Sequence, residues 1–71
     1  MNEPTERQMK AMVGILKKLG LTWYEVEGII TFINSQEILL EMVDRLEAKD
    51  FKLTPRETVN ICGQVLEEYL T

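Results

Sequence analysis

Few side chains in this chain are of a type that does proton-transfer or nucleophilic chemistry, and their spacing does not assemble a catalytic site. There is no histidine among the 71 residues. The commonest general acid–base group is therefore absent, and nucleophile triads built on histidine are excluded. The one cysteine, Cys62, sits at helical spacing between Val59 and Leu66. A reactive thiolate needs a neighbouring positive charge or a helix N-terminus; an apolar position in mid-helix predicts a small buried core residue instead. Glu37, Glu41 and Asp44 share one helix face and come nearest to a metal-binding cluster. Carboxylate metal sites in helical bundles also use a Glu-x-x-His element, which this chain lacks, and no EF-hand loop spacing occurs. That face, like Glu67-Glu68, reads as solvated. Gly14, Gly20, Gly28 and Gly63 are isolated, so no glycine-rich phosphate loop is present. These observations predict a protein that is not an enzyme and that holds no cofactor and no metal.

Charge and length narrow the classes further. Acidic residues number 12 against eight basic ones, a net charge of −4, and the isoelectric point is near 4.7. DNA-binding domains concentrate Lys and Arg on one face to neutralise phosphates; here the basic residues are scattered along the chain, and no nucleic-acid partner is expected. No run approaches the roughly 18 apolar residues of a membrane span. The N-terminus, MNEPTERQ, is polar and carries two glutamates, so no secretory signal is expected. A lone cysteine rules out an intrachain disulfide and suits a reducing compartment. Cytoplasm is the expected location. A core from so short a chain supplies a net stability of about 3–5 kcal/mol. With disulfide and structural zinc set aside, association is the remaining common supplement.

The elements that must position any site read as four helices. Thr5-Glu6-Arg7-Gln8 matches a capping box and opens a first helix over about 6–19, with Met9, Met12, Val13, Leu16 and Leu19 as its core stripe and Ile15 flanking. Gly20 is its left-handed stop. Thr22-Trp23-Tyr24-Glu25 is a second capping box, with Leu21 and Val26 placed for a hydrophobic staple. The second helix, about 23–33, carries the apolar stripe Trp23, Val26, Ile29, Ile30 and Ile33. Asn34 or Ser35 caps a third helix over about 36–49, with Ile38, Leu39, Met42, Val43 and Leu46 inward. Thr54-Pro55-Arg56-Glu57, with threonine as cap and proline first in the helix, opens a fourth over about 55–70. Its apolar face is Val59, Cys62, Val65, Leu66, Tyr69 and Leu70. Leu21-Thr22-x-x-Glu25 is echoed by Leu53-Thr54-x-x-Glu57, so the chain divides into two similar helical hairpins. The fold expected is all-α: a small antiparallel four-helix bundle forming a single domain over 1–71.

The functional expectation rests on the second helix. Tyr24, Gly28 and Phe32, spaced four apart, fall roughly opposite its core stripe. A helix apolar on two sides needs cover on two sides. Gly28 lowers helix stability by about 1 kcal/mol relative to alanine, which predicts a close approach at that point. The reading is a non-enzymatic, acidic protein–protein interaction module. It would self-associate as a homodimer through Tyr24, Gly28 and Phe32, with Leu40 at the rim. Two alternatives stand beside it. Leu53-Thr54-Pro55-Arg56-Glu57 resembles, over four or five residues, the L-T-x-R-E opening of helix-turn-helix domains in some response regulators. That resemblance implies a small DNA-associated transcriptional regulator. A third helix used for recognition would, however, present Gln36, Glu37 and Glu41 to phosphate. The other alternative is a small-ligand or metal carrier with a pocket in the bundle core.

Overall fold

A computed structural model describes residues 2–70. It contains α1 (Glu6–Lys18), α2 (Trp23–Ile30), α3 (Gln36–Ala48) and α4 (Pro55–Leu70). There is no strand among the described residues, and the helices pack into one bundle measuring 31 × 23 × 21 Å.

Local chemistry sets the helix starts. Thr5 Oγ1 accepts from the Gln8 amide at 3.0 Å while the Thr5 amide donates to Gln8 Oε1 at 2.8 Å. The same reciprocal pair joins Thr22 to Glu25, at 3.2 and 2.9 Å, and Thr54 to Glu57, at 3.1 and 2.8 Å. Each box satisfies backbone donors that a helix start leaves without internal partners. Ser35, not Asn34, caps α3, its Oγ accepting from the Ile38 amide at 3.2 Å.

Two helix ends share one geometry. After α1, the Gly20 amide donates to the Lys17 carbonyl and the Leu21 amide to the Leu16 carbonyl, with Gly20 at φ 94°. After α3, the Asp50 amide donates to Glu47 and the Phe51 amide to Leu46. Both are Schellman caps. The second uses no glycine: Asp50 sits at φ 56° and Phe51 at φ 54°. A left-handed backbone costs an L-residue about 1–2 kcal/mol, and a bulky aromatic there is an outlier.

α2 ends at Ile30 rather than continuing to Ile33. The β-branched run Ile29-Ile30-Thr31 is a weak helix former. The chain tightens there into three-residue bonds, Phe32 amide to Ile29 carbonyl and Ile33 amide to Ile30 carbonyl, both 3.1 Å. Ile33 is nevertheless buried, so the tight turn still delivers it to the core.

Hydrogen bonds and charges at the helix ends give the directions. The Gln36 amide donates to the Asn2 carbonyl, and Gln36 Nε2 donates to Gln8 Oε1 at 3.2 Å, so α1 and α3 start side by side. α4 returns along α3: Lys49, just past α3, lies close enough to act on Glu57, while Glu37 and Glu41 act on Tyr69 at the far end. α2 packs on α1 and α4. Arg45 ties α3 to α4, its guanidinium donating twice to the Glu68 carboxylate and once, from Nε, to Glu41 at 2.8 Å.

The core follows the expected stripes through most of their length, with Met12, Leu16, Val26, Ile29, Met42, Leu46, Cys62 and Val65 among its buried members, but Tyr69 and Leu70, expected on the apolar face of α4, lie exposed in its last turn. Truncating Leu16 or Leu46 to alanine removes about 2–5 kcal/mol, comparable to the whole stability of a domain this small. Thr58 is an unexpected buried residue; its hydroxyl donates to the Thr54 carbonyl at 3.0 Å, so it enters the core satisfied. Trp23 corrects the expected stripe in the other direction: it is 63% exposed. Helical side chains lean toward the N-terminus, and Trp23 is the first residue of α2. Its indole therefore lies off the end of the core, with the Lys17 ammonium 4.5 Å from the ring centroid.

The two Schellman caps generate opposite expectations for glycine. Gly20→Ala places a side chain at positive φ, with its Cβ 3.1 Å from Pro55 Cγ; the loss should be about 1–2 kcal/mol, a fall in Tm of about 4–8 °C per kcal/mol. Asp50→Gly relieves the same conformation and loses only an exposed 3.8 Å ion pair to Lys52. It should raise stability by about 0.5–1 kcal/mol, less than the full left-handed penalty because glycine loses more backbone entropy on folding. Thermal melts of the two variants beside the parent check both signs.

Candidate protein-binding surface

α2 turns Val26 and Ile29 into the core, and this fixes what its other side presents. Tyr24 is 89% exposed and Phe32 55%. They flank Gly28, and with Glu27 and Thr31 they line a shallow groove of about 320 Å³. The structure thus brings together Tyr24, Gly28 and Phe32. Phe32 reaches the groove through the tight turn after Ile30, not through helical phase. The Thr31 hydroxyl donates to the Glu27 carbonyl at 2.7 Å, tying that turn back onto the helix.

Gly28 forms the open floor of this groove. A Cβ built there would meet no atom within 4 Å outside its own helix turn, so the close approach expected at this residue is not made by any other part of the described chain. Leu40 is 51% exposed on α3 but does not line the groove. Trp23, exposed beside Tyr24, is the residue that stripe counting missed. Its place directly after the Thr22 cap was the available signal.

The residues with chemical potential are placed elsewhere. Cys62 is wholly buried, and burial pushes its thiol up to about 11; at neutral pH it is a protonated core side chain. On the acidic face of α3, Glu41 is held by Arg45, which also holds Glu68. Hydrogen bonds and field from the two carboxylates raise the Arg45 pKa, and Arg45 in turn holds the Glu68 carboxyl below its ordinary value. Glu57 is also lowered, through the Thr54 backbone amide first and the Thr54 hydroxyl next. Among the described residues no group of three or more His, Cys, Asp or Glu side chains is gathered as a metal site requires. None of the described helices is long and apolar enough to cross a membrane.

A second groove, about 420 Å³, is lined by Ile15, Lys18 and Leu19 of the end of α1 together with Phe51. Neighbouring it in the chain, Lys49, Lys52, Leu53 and Glu57 contribute to a third depression along the start of α4.

No family model matches the chain, and no curated protein or solved structure is significantly similar to it.

The shifted groups give two measurable expectations. Cys62 should resist a disulfide reagent at pH 8 in the folded protein and react at a rate that climbs with urea, since the thiolate forms only when the core opens. Glu57 and Glu68 titrate lower folded than unfolded, so their stabilising effect is present above the unfolded carboxyl range and is lost as pH falls through the folded values. The urea midpoint should therefore drop between about pH 5 and pH 3, and the double variant Glu57→Gln, Glu68→Gln should flatten that drop.

Proposed function

We propose that this protein is a non-enzymatic interaction module that self-associates as a homodimer through the outer face of α2. The observation that carries the reading is the pair of exposed aromatic side chains, Tyr24 and Phe32, on either side of Gly28 with nothing above it. Exposed aromatics around an open floor are what a protein interface uses as anchors. A twofold contact between two α2 helices running in opposite directions would set Tyr24 of one protomer against Phe32 of the other. Gly28 would lie at the crossing, where the absent side chain lets the backbones approach.

The magnitude is modest. Aromatic side chains bury about 150–250 Å² each; scaled by the exposures of Trp23, Tyr24 and Phe32, that is roughly 300–500 Å² per protomer. A symmetric pair then reaches roughly 600–1,000 Å², at or below the lower bound of about 1,000 Å² for a specific interface. The association should be weak, and Glu27 in the same groove holds it back through like charge across the twofold axis. Acidic side chains on α3, Glu37 and Glu41, present the wrong sign to phosphate, which supports a protein partner over nucleic acid. The single buried thiol suits a reducing compartment such as the cytoplasm.

Sedimentation equilibrium at tens of micromolar should show reversible dimerisation of the wild type. Phe32→Glu should be monomeric with an unchanged helical circular dichroism spectrum and a melt within a few degrees of the parent. A wild type that stays monomeric throughout that range rejects the reading.

A further inference from the structure

The end of the molecule away from Gln8 and Gln36 gathers an apolar groove and most of the positive charge. The end of α1 and the α3–α4 connector meet there, since Ile15, Lys18 and Leu19 share the groove with Phe51. The start of α4 joins them, with Pro55 Cγ 3.1 Å from the position a Cβ on Gly20 would take. Lys17, Lys18, Lys49, Lys52 and Arg56, five of the eight basic residues, belong to these segments. The acids in the same segments and in the first turn of α2 are Glu25, Glu47, Asp50 and Glu57, four against five basic residues. Asp50 is paired with Lys52, and the Glu57 carboxylate accepts from the Thr54 amide. The C-termini of α1 and α3 and the N-termini of α2 and α4 all lie in this part of the fold, so their dipoles oppose one another and the side chains decide the sign. On a chain of net charge −4, this end carries a small positive excess of one.

Phe51 points the same way. It is held at φ 54° by the cap after α3 and remains 38% exposed as a wall of the groove. The cap itself needs a left-handed residue only at Asp50; a large aromatic in the same backbone region one residue further on is the kind of strained residue that clusters at binding sites.

We propose that the groove formed by Ile15, Lys18, Leu19 and Phe51 is a second docking site, and that its occupant is an acidic segment of a different protein carrying a large apolar anchor. The anchor enters between Leu19 and Phe51; the flanking carboxylates meet Lys18 and the lysines beside the connector. Charge complementarity selects this class, because a basic or neutral segment would gain the same apolar contact without the attraction. The site is on a different surface from the outer face of α2 and does not depend on self-association there.

The test is selection of a displayed random 12-residue peptide library on the immobilised full chain. Enriched peptides should be net acidic and carry an aromatic or large aliphatic residue. Each, made synthetically, should lose at least tenfold in affinity on Lys18→Glu and on Phe51→Gly. Glycine suits the φ at position 51, so that variant removes the wall while keeping the turn. Affinity should also weaken severalfold between 50 and 300 mM salt and stay unchanged on Phe32→Glu, which separates this site from the α2 face. Four results overturn the proposal. They are no enrichment, enriched peptides that are neutral or basic, binding indifferent to Lys18→Glu and Phe51→Gly, and wild-type oligomers abolished by Lys18→Glu but not by Phe32→Glu. The last would make a second copy of the chain the occupant.

Discussion

The covering of α2 governs how the rest of the surface is arranged. It is eight residues long and packs on α1 and α4, which between them bury Val26 and Ile29. The helix alternates core and outer positions in the usual way, but its outer positions are Tyr24, Gly28 and, through the turn, Phe32, where a solvated helix would carry lysine or glutamate. Apolar surface left in water forgoes about 25 cal/mol per Å² of potential stabilisation. In a chain whose total net stability is a few kcal/mol, that omission is large; Leu40, Phe51, Tyr69 and Leu70 are exposed elsewhere, but the two most exposed aromatic rings, Trp23 and Tyr24, stand side by side at the start of α2.

Charge is distributed with a similar asymmetry. Arg45 sits among carboxylates and is consumed by them, bridging Glu41 and Glu68 and so fastening α3 to α4. All the groups of that network are at least partly in water, so its effect on stability is screened and small; its structural consequence is to remove the one central cation from the acidic side. The far end holds five of the eight basic residues, Lys17, Lys18, Lys49, Lys52 and Arg56, beside Glu25, Glu47, Asp50 and Glu57, so it lacks the acidic excess of the rest of the molecule. The molecule is acidic in sum and polar in arrangement, which a net charge does not convey.

Much of the fold was legible because its signals are local. Thr5, Thr22 and Thr54 each announce a helix with an acceptor three residues later, and those contacts need no knowledge of tertiary structure. The inward stripes of α1 and α3, and that of α4 as far as Leu66, were legible for the same reason: helical periodicity selects one face, though it does not say where the covering elements stop, and Tyr69 and Leu70 are exposed. The features that escaped depend on something periodicity does not encode. Trp23 has the right phase for the core but lies at the helix start, and its backward lean carries it past the core. Thr58 looks polar, yet its hydroxyl is satisfied by the carbonyl one turn back, so it can be buried. The left-handed Phe51 carries no glycine to mark it. Leu40 has the exposure expected of a rim residue, but its helix does not bring it to the groove of α2. At the candidate surface, the spacing of Tyr24, Gly28 and Phe32 placed all three together, although the agent at Phe32 is a turn and not a continuing helix.

The two glycines that punctuate this half of the chain sharpen the case for association. Gly20 is fully explained from within: its backbone is left-handed, its amide completes a cap, and a methyl group in its place would press on Pro55. Gly28 has none of these reasons. It lies inside a helix, its φ is ordinary, and a side chain there would meet only open space. Folding alone favours alanine at such a position by about 1 kcal/mol. Gly14 and Gly63 fit the same description, so an open helical glycine does not by itself indicate a partner; what distinguishes Gly28 is the exposed aromatic side chain on each side of it. Tyr24 and Phe32 line one shallow groove with it, and that juxtaposition, not the glycine alone, is what the proposed contact rests on.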